Sequence, residues 1–99
     1  MKIGIELISK EREEQLSKHH IAVIDDAMYN KGYQLSFAAA ALSCPFPESM
    51  GLSSENQYGC PSGWDAKIWC KMIHKPYKDR LVVAGALLAA EIDRLQLSE

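Results

Sequence analysis

Apolar and polar residues alternate along this chain on helical periods. The clearest case is residues 81–95, LVVAGALLAAEIDRL, whose first ten residues carry no charge. At 3.6 residues per turn, Leu81, Ala84, Gly85, Leu88, Ile92 and Leu95 share one stripe, flanked by Val82, Ala86 and Ala89. That pattern predicts a helix buried on most sides, of the kind found in the middle of a bundle. Gly85 and Ala89, four apart, are small enough for a neighbouring backbone to come close.

Residues 3–18 predict a first helix, rich in Glu, Lys, Arg and Gln and free of Gly and Pro after Gly4. Glu6 to Lys10 and Glu14 to Lys18 stand in the favourable i,i+4 order. Ile5, Ile8 and Leu16 form its inward stripe, with Glu11 and Gln15 at the edge and Glu13 and Glu14 pointing away. Arg12 lies between Ile8 and Leu16 on that stripe, and His19 falls on it too. A charge inside an apolar stripe is the sharpest irregularity in the sequence.

Residues 19–32 fit either a helical turn or a short extended piece around Ile21, Val23 and Ile24. Asp25-Asp26 and Asn30-Lys31-Gly32 supply turn and cap chemistry. Residues 33–43 predict a second helix with Leu35, Ala38, Ala39 and Leu42 inward. Its run of alanines makes it slim, a close-packing partner for the Gly85/Ala89 side of the last helix. Pro45 and Pro47 end it. Residues 45–63 read as a long loop, a length usually functional or disordered in a compact domain. Residues 64–73 predict a short helix packing through Ile68, Trp69 and Met72. Pro76 then opens the last helix, with Asp79 in its first turn. The expected architecture is all-α: one domain over residues 1–99, built as a small bundle of three main helices plus one short helix.

Composition narrows this little. At 99 residues, 47% apolar and 24% charged, the chain has the make-up of an ordinary globular protein. A net charge of −2 argues against a nucleic-acid partner. The group Lys71, Lys75, Lys78 and Arg80 reads as a solvated rim. No apolar leader follows Met1, and the uncharged run is about half the roughly 20 residues a membrane span needs. Three cysteines without paired spacing point to free thiols in a reducing compartment. The expectation is a cytoplasmic protein with no membrane partner.

Glu11-Arg12 followed by Gln15, then Gly63-Trp64-Asp65, Trp69, Lys75-Pro76, Arg80-Leu81, Ala84-Gly85-Ala86-Leu87 and Ala90-Glu91-Ile92-Asp93-Arg94-Leu95, resembles a family of small uncharacterised proteins encoded in bacteriophages and prophages. The likeness covers most of the chain and is most specific from Lys75 onward. Many relatives carry Asp-Asp-x-His and then Gly-Glu-Leu before the alanine-rich helix. Here the first is Asp25-Asp26-Ala27-Met28, and Gly32 is followed by Tyr33-Gln34-Leu35, with one residue inserted. A metal held at those positions in relatives is therefore not expected here. The resemblance implies a phage-derived accessory protein in a bacterial host cell, and no particular activity.

Four groupings could carry chemistry. An inward Arg12 must find an acceptor, because an unpaired buried charge is costly; Glu91 is the best-placed carboxylate, with Asp25 and Asp26 behind it. Such a pair is either structural or the floor of a site for an anionic or polar ligand, lined by Glu11, Arg12, Lys75 and Glu91 with Trp64 or Trp69 as an apolar wall. Glu11, Glu14 and Glu91, with Asp25 and Asp26, invite comparison with all-α nucleotide pyrophosphohydrolases, whose helix-borne acids hold Mg²⁺. Glu91 and Asp93, two apart, point from different faces, which leaves half a motif; solvated surface is the commoner meaning. Cys70 and His74, with Cys44 and Cys60 upstream, lack the tight pairs of a zinc site, and His19-His20 reads as helix capping. Trp64, Trp69 and Tyr77 beside lysines could stack bases but more often lock a short helix onto the core. The leading expectation is a non-enzymatic binder of a small ligand, a nucleotide among them, or of a host protein, without a cofactor. A Mg²⁺-dependent hydrolase and a structural oligomerisation module, including a homodimer, are the alternatives.

Overall fold

A computed structural model describes residues 1–17, 33–46, 60–61 and 63–98. The expected readings at His19, His20, Asp25, Asp26 and most of the 45–63 loop lie outside these. The fold is a small all-α bundle, with four helices among the described residues: α1 (Gly4–Ser17), α2 (Gln34–Leu42), α3 (Ala66–Ile73) and α4 (Tyr77–Ser98). The longest, α4, packs against both α1 and α2, and α3 closes on α2.

Each boundary has a local cause. Tyr33 takes a left-handed conformation (φ 67°) to start α2. At the other end the amide of Ser43 returns to the Ala39 carbonyl, and its hydroxyl donates to Ala40. The approach to α3 is a turn in which the Trp64 amide donates to the Pro61 carbonyl, with Gly63 at φ +83°. That φ favours glycine, since other residues meet a steric penalty there. Asp65 then caps α3, its carboxylate accepting from the amides of Lys67 (2.8 Å) and Ile68 (3.3 Å). Pro76 supplies the carbonyl that receives the Arg80 amide and so opens α4.

The core joins Leu35, Ala38, Ala39, Ala41 and Leu42 of α2 to Trp69 and Ile73 of α3 and Val83, Ala84, Leu87 and Ala90 of α4. The four residues expected inward on α2 are all buried, and Ala41 joins them. For α4 the expected stripe is not the buried one. Leu81, Leu88, Ile92 and Leu95 are exposed, and the buried residues are Arg80, Val83, Ala84, Ala86, Leu87, Ala90, Glu91 and Arg94. A helix apolar on two sides does not declare which side the core takes. The slim alanine face of α2 chooses the side where Ala84 and Ala90 permit close approach. In α3, Ile68 is likewise exposed; Trp69 packs as expected, with Met72 half-buried against the core and Ile73 buried beside it.

Helix α1 also sits rotated from its predicted stripe. Arg12 and Gln15 are buried, Ile8 is half-buried, and Ile5 and Leu16 face solvent. The reason is Gly85: a Cβ placed there would stand 2.6 Å from Ile8 Cδ1. The small residue on α4 therefore admits a side chain of α1, rather than the backbone of α2.

Candidate functional site

Two contacts set α1 on α4, Ile8 over Gly85 and Arg12 to Asp93. Both advance toward the C-terminus of each helix, so the two run in the same general sense. The C-terminal half of α1 thus meets the last turns of α4, and Tyr33 at the start of α2 comes there too, its ring 6.0 Å from the Arg94 guanidinium carbon.

Arg12 is 8% exposed, as its place on an inward stripe predicts. Its carboxylate partner is a correction. Nη2 lies 3.2 Å from Asp93 Oδ2, and Glu91 pairs instead with Arg94 Nε, three residues along its own helix. The i,i+3 neighbour is closer at hand than a residue on another helix, so Glu91 is taken. Asp93 turns toward α1 because it continues the line Gly85, Ala89, Asp93 at four-residue steps, the side on which Ile8 sits. The Asp93 side chain is 41% exposed, whereas Glu91 and Arg94 are both buried.

The Arg12 guanidinium is incompletely matched. Among the described residues its Nε and Nη1 are buried and have no hydrogen-bond partner. A buried N–H left unmatched costs about 1–3 kcal/mol.

The remaining expected site residues are dispersed. Glu11 is half-buried on α1 beside Arg12. Trp69 has no exposed surface and belongs to the core, so it cannot be a ligand's wall. Trp64 is half-buried and meets Trp69 edge-on, ring centroids 6.2 Å apart at 74°. This is the locking role expected for the indoles. Lys75 is exposed at the α3–α4 junction, where its carbonyl serves Arg80.

Arg80 departs furthest from expectation. It is 5% exposed, not part of a solvated rim. Its Nε donates to the Lys75 carbonyl (3.0 Å), Nη1 to those of Leu42 (3.1 Å) and Cys44 (2.6 Å), and Nη2 to Pro45 (3.5 Å). The guanidinium also lies 5.4 Å from the Tyr77 ring centre. A planar fork of five donors suits the diverging carbonyls at the end of α2, so Arg80 ties the C-terminal ends of α2 and α3 to the start of α4. The signal was present in the sequence: Arg80, Val83, Leu87 and Arg94 share one helical face.

Cys44, Cys60 and Cys70 are outside any disulfide and all half-buried. Burial, the nearby Cys70 and Asp65 together push the Cys60 thiol above its ordinary value. Among the described residues no three His, Cys, Asp or Glu side chains are grouped to hold a metal ion, and no helix is long and apolar enough to cross a membrane.

No family model, curated protein or solved structure matches the chain. The geometry at Arg12 therefore carries the functional argument.

Proposed function

We propose that this chain is a phage- or prophage-derived accessory protein of the bacterial cytoplasm that acts by binding rather than catalysis. Its ligand presents a strong hydrogen-bond acceptor to Arg12: a small anionic or polar molecule such as a nucleotide, or an acidic side chain of a host protein. The phage context rests on the Glu-Arg and Lys-Pro to Asp-Arg-Leu residue pattern. The binding reading rests on one observation, the buried Arg12 with two N–H groups unmatched among the described residues.

An incoming carboxylate or phosphate oxygen would supply those donors with charge-assisted bonds, which are shorter and roughly twice as strong as neutral ones. Half-exposed Asp93 sits on Nη2, and Nε and Nη1 are sealed, so a ligand reaches them by displacing part of the packing around α1. Asp93 also sets the selectivity, since its charge opposes an anion and must be offset by the ligand's other contacts.

Thermal shift with a nucleotide panel, with and without Mg²⁺, tests the reading. Stabilisation that is independent of metal and absent in Arg12→Gln is expected. Stabilisation that requires Mg²⁺ and is accompanied by phosphate release would replace binding with hydrolysis.

A further inference from the structure

Helix α1 stands apart from the core. Among the described residues none of its side chains belongs to the apolar cluster of α2, α3 and α4, and it packs chiefly on α4. Its inward side is Ile8, Arg12 and Gln15, at steps of four and three residues. Two of those three are polar. Of the other aliphatic residues of α1, Leu7 is half-buried, while Ile5 and Leu16 face solvent. The core, by contrast, holds Leu35, Leu42 and Trp69 with almost no exposed surface.

Burying Arg12 works against this seam. Docking takes water from its Nε and Nη1 and gives them no partner among the described residues, a cost relieved when the helix lifts. Elements with few buried apolar contacts are the ones that open without global unfolding. Two contacts oppose the lift: Ile8 in the notch at Gly85, and the Arg12–Asp93 pair.

We propose that α1 lifts off α4 as a unit while the α2–α3–α4 core stays folded, and that the ligand of Arg12 binds the lifted state, with Ile8 in the Gly85 notch as the latch. The binding clause rests on Arg12 being the ligand's anchor, whereas the lift does not. Docked, the chain hides its own donors. The apparent affinity is then the intrinsic one scaled by the lifted fraction, so loosening the latch tightens binding and locking it weakens binding.

Hydrogen exchange of the full chain, with no ligand present, tests the lift. Amides of residues 8–15 should be protected about tenfold less than those of residues 83–90, and Ile8→Ala should lower the first group's protection alone. Equal protection of the two helices overturns the proposal. So does an Ile8→Ala loss spread evenly over α1, α2 and α4.

A reversible lock tests the latch. A γ atom at position 8 stands 2.8 Å from a Cβ at position 85, within a disulfide's reach, so the double variant Ile8→Cys/Gly85→Cys can be closed and reopened by oxidation and reduction. Calorimetric titration with ATP should show binding about tenfold weaker in the oxidised form than in the reduced form, and tighter in Ile8→Ala than in the wild type. Equal affinity in both redox states overturns the latch. ATP bound by neither form removes the Arg12 reading and the latch with it, leaving the lift to stand on exchange alone.

Discussion

Ile8 occupies the space that any side chain on Gly85 would need, its Cδ1 and Cγ1 standing 2.6 and 2.8 Å from where a Cβ would be. This contact fixes how α1 is rotated on α4, and with it the burial of Arg12. Gly85→Ala gains about 1 kcal/mol of helix propensity but forces Ile8 to move, an overpacking penalty of about 1–3 kcal/mol. A net loss of about 1 kcal/mol is expected by urea unfolding. In an Ile8→Ala background the same change should become neutral or stabilising, since the clashing Cδ1 and Cγ1 are both gone. Equal effects in both backgrounds would mean that the contact does not set the helix pair.

Arg80 should matter more to stability than either other arginine. Its donors serve four carbonyls at the ends of two helices, and Arg80→Ala leaves those carbonyls short of partners. A loss of about 3 kcal/mol is expected from denaturant titration, with Arg80→Lys recovering only part because a point charge cannot span the fork. A loss below 1 kcal/mol would remove Arg80 from its keystone role.

The Arg12–Asp93 pair predicts an asymmetry between its two halves. Removing the carboxylate in Asp93→Ala leaves a buried cation with no counter-charge, and discounting for the exposure of Asp93 the cost is about 1–2 kcal/mol. Replacing the cation in Arg12→Met keeps the packing of the stem and removes the unmatched donors, so it should be neutral or stabilising. The ligand readout runs opposite. Asp93→Asn should tighten binding of an anion by lifting a like charge, and Arg12→Met should abolish it.

Cys60 gives the protein an alkaline limb. Its folded thiol titrates above the ordinary value because burial, Cys70 and Asp65 all disfavour the thiolate. The folded state therefore holds its proton longer than the unfolded chain does. The resulting stability is fully present below the unfolded thiol pKa and is lost as pH rises through the folded one. Melting temperature should fall over that window in the wild type, and the fall should shrink in Cys60→Ser.

Helix positions and the α2 core were legible in the sequence because Leu35, Ala38, Ala39 and Leu42 recur at helical spacing, although Phe37, equally apolar, faces solvent. The inward faces of α1 and α4 were not. On α4 both arcs are apolar, and the deciding information lies in small residues whose partners are far away in the chain. On α1 the apolar residues are too few to define a face, so a single notch at Gly85 sets the rotation. Arg12 is buried as expected, but through the Ile8–Gly85 contact and not through the expected stripe, since Leu16 faces solvent. Its partner was not legible, because Glu91 has a nearer cation in Arg94. Arg80 was hidden by its lysine neighbours, although its spacing to Val83 and Leu87 places it on the buried face.

The most direct measurement follows the side-chain Nε–H signals of Arg12, Arg80 and Arg94 by ¹⁵N-correlated NMR, assigned with Arg→Lys variants, as a nucleotide or inorganic phosphate is added. The Arg12 signal should shift on binding, because its Nε has no partner among the described residues. Those of Arg80, held by the Lys75 carbonyl, and Arg94, held by Glu91, should stay in place. A ligand that binds and leaves the Arg12 signal unmoved would contradict the proposed site.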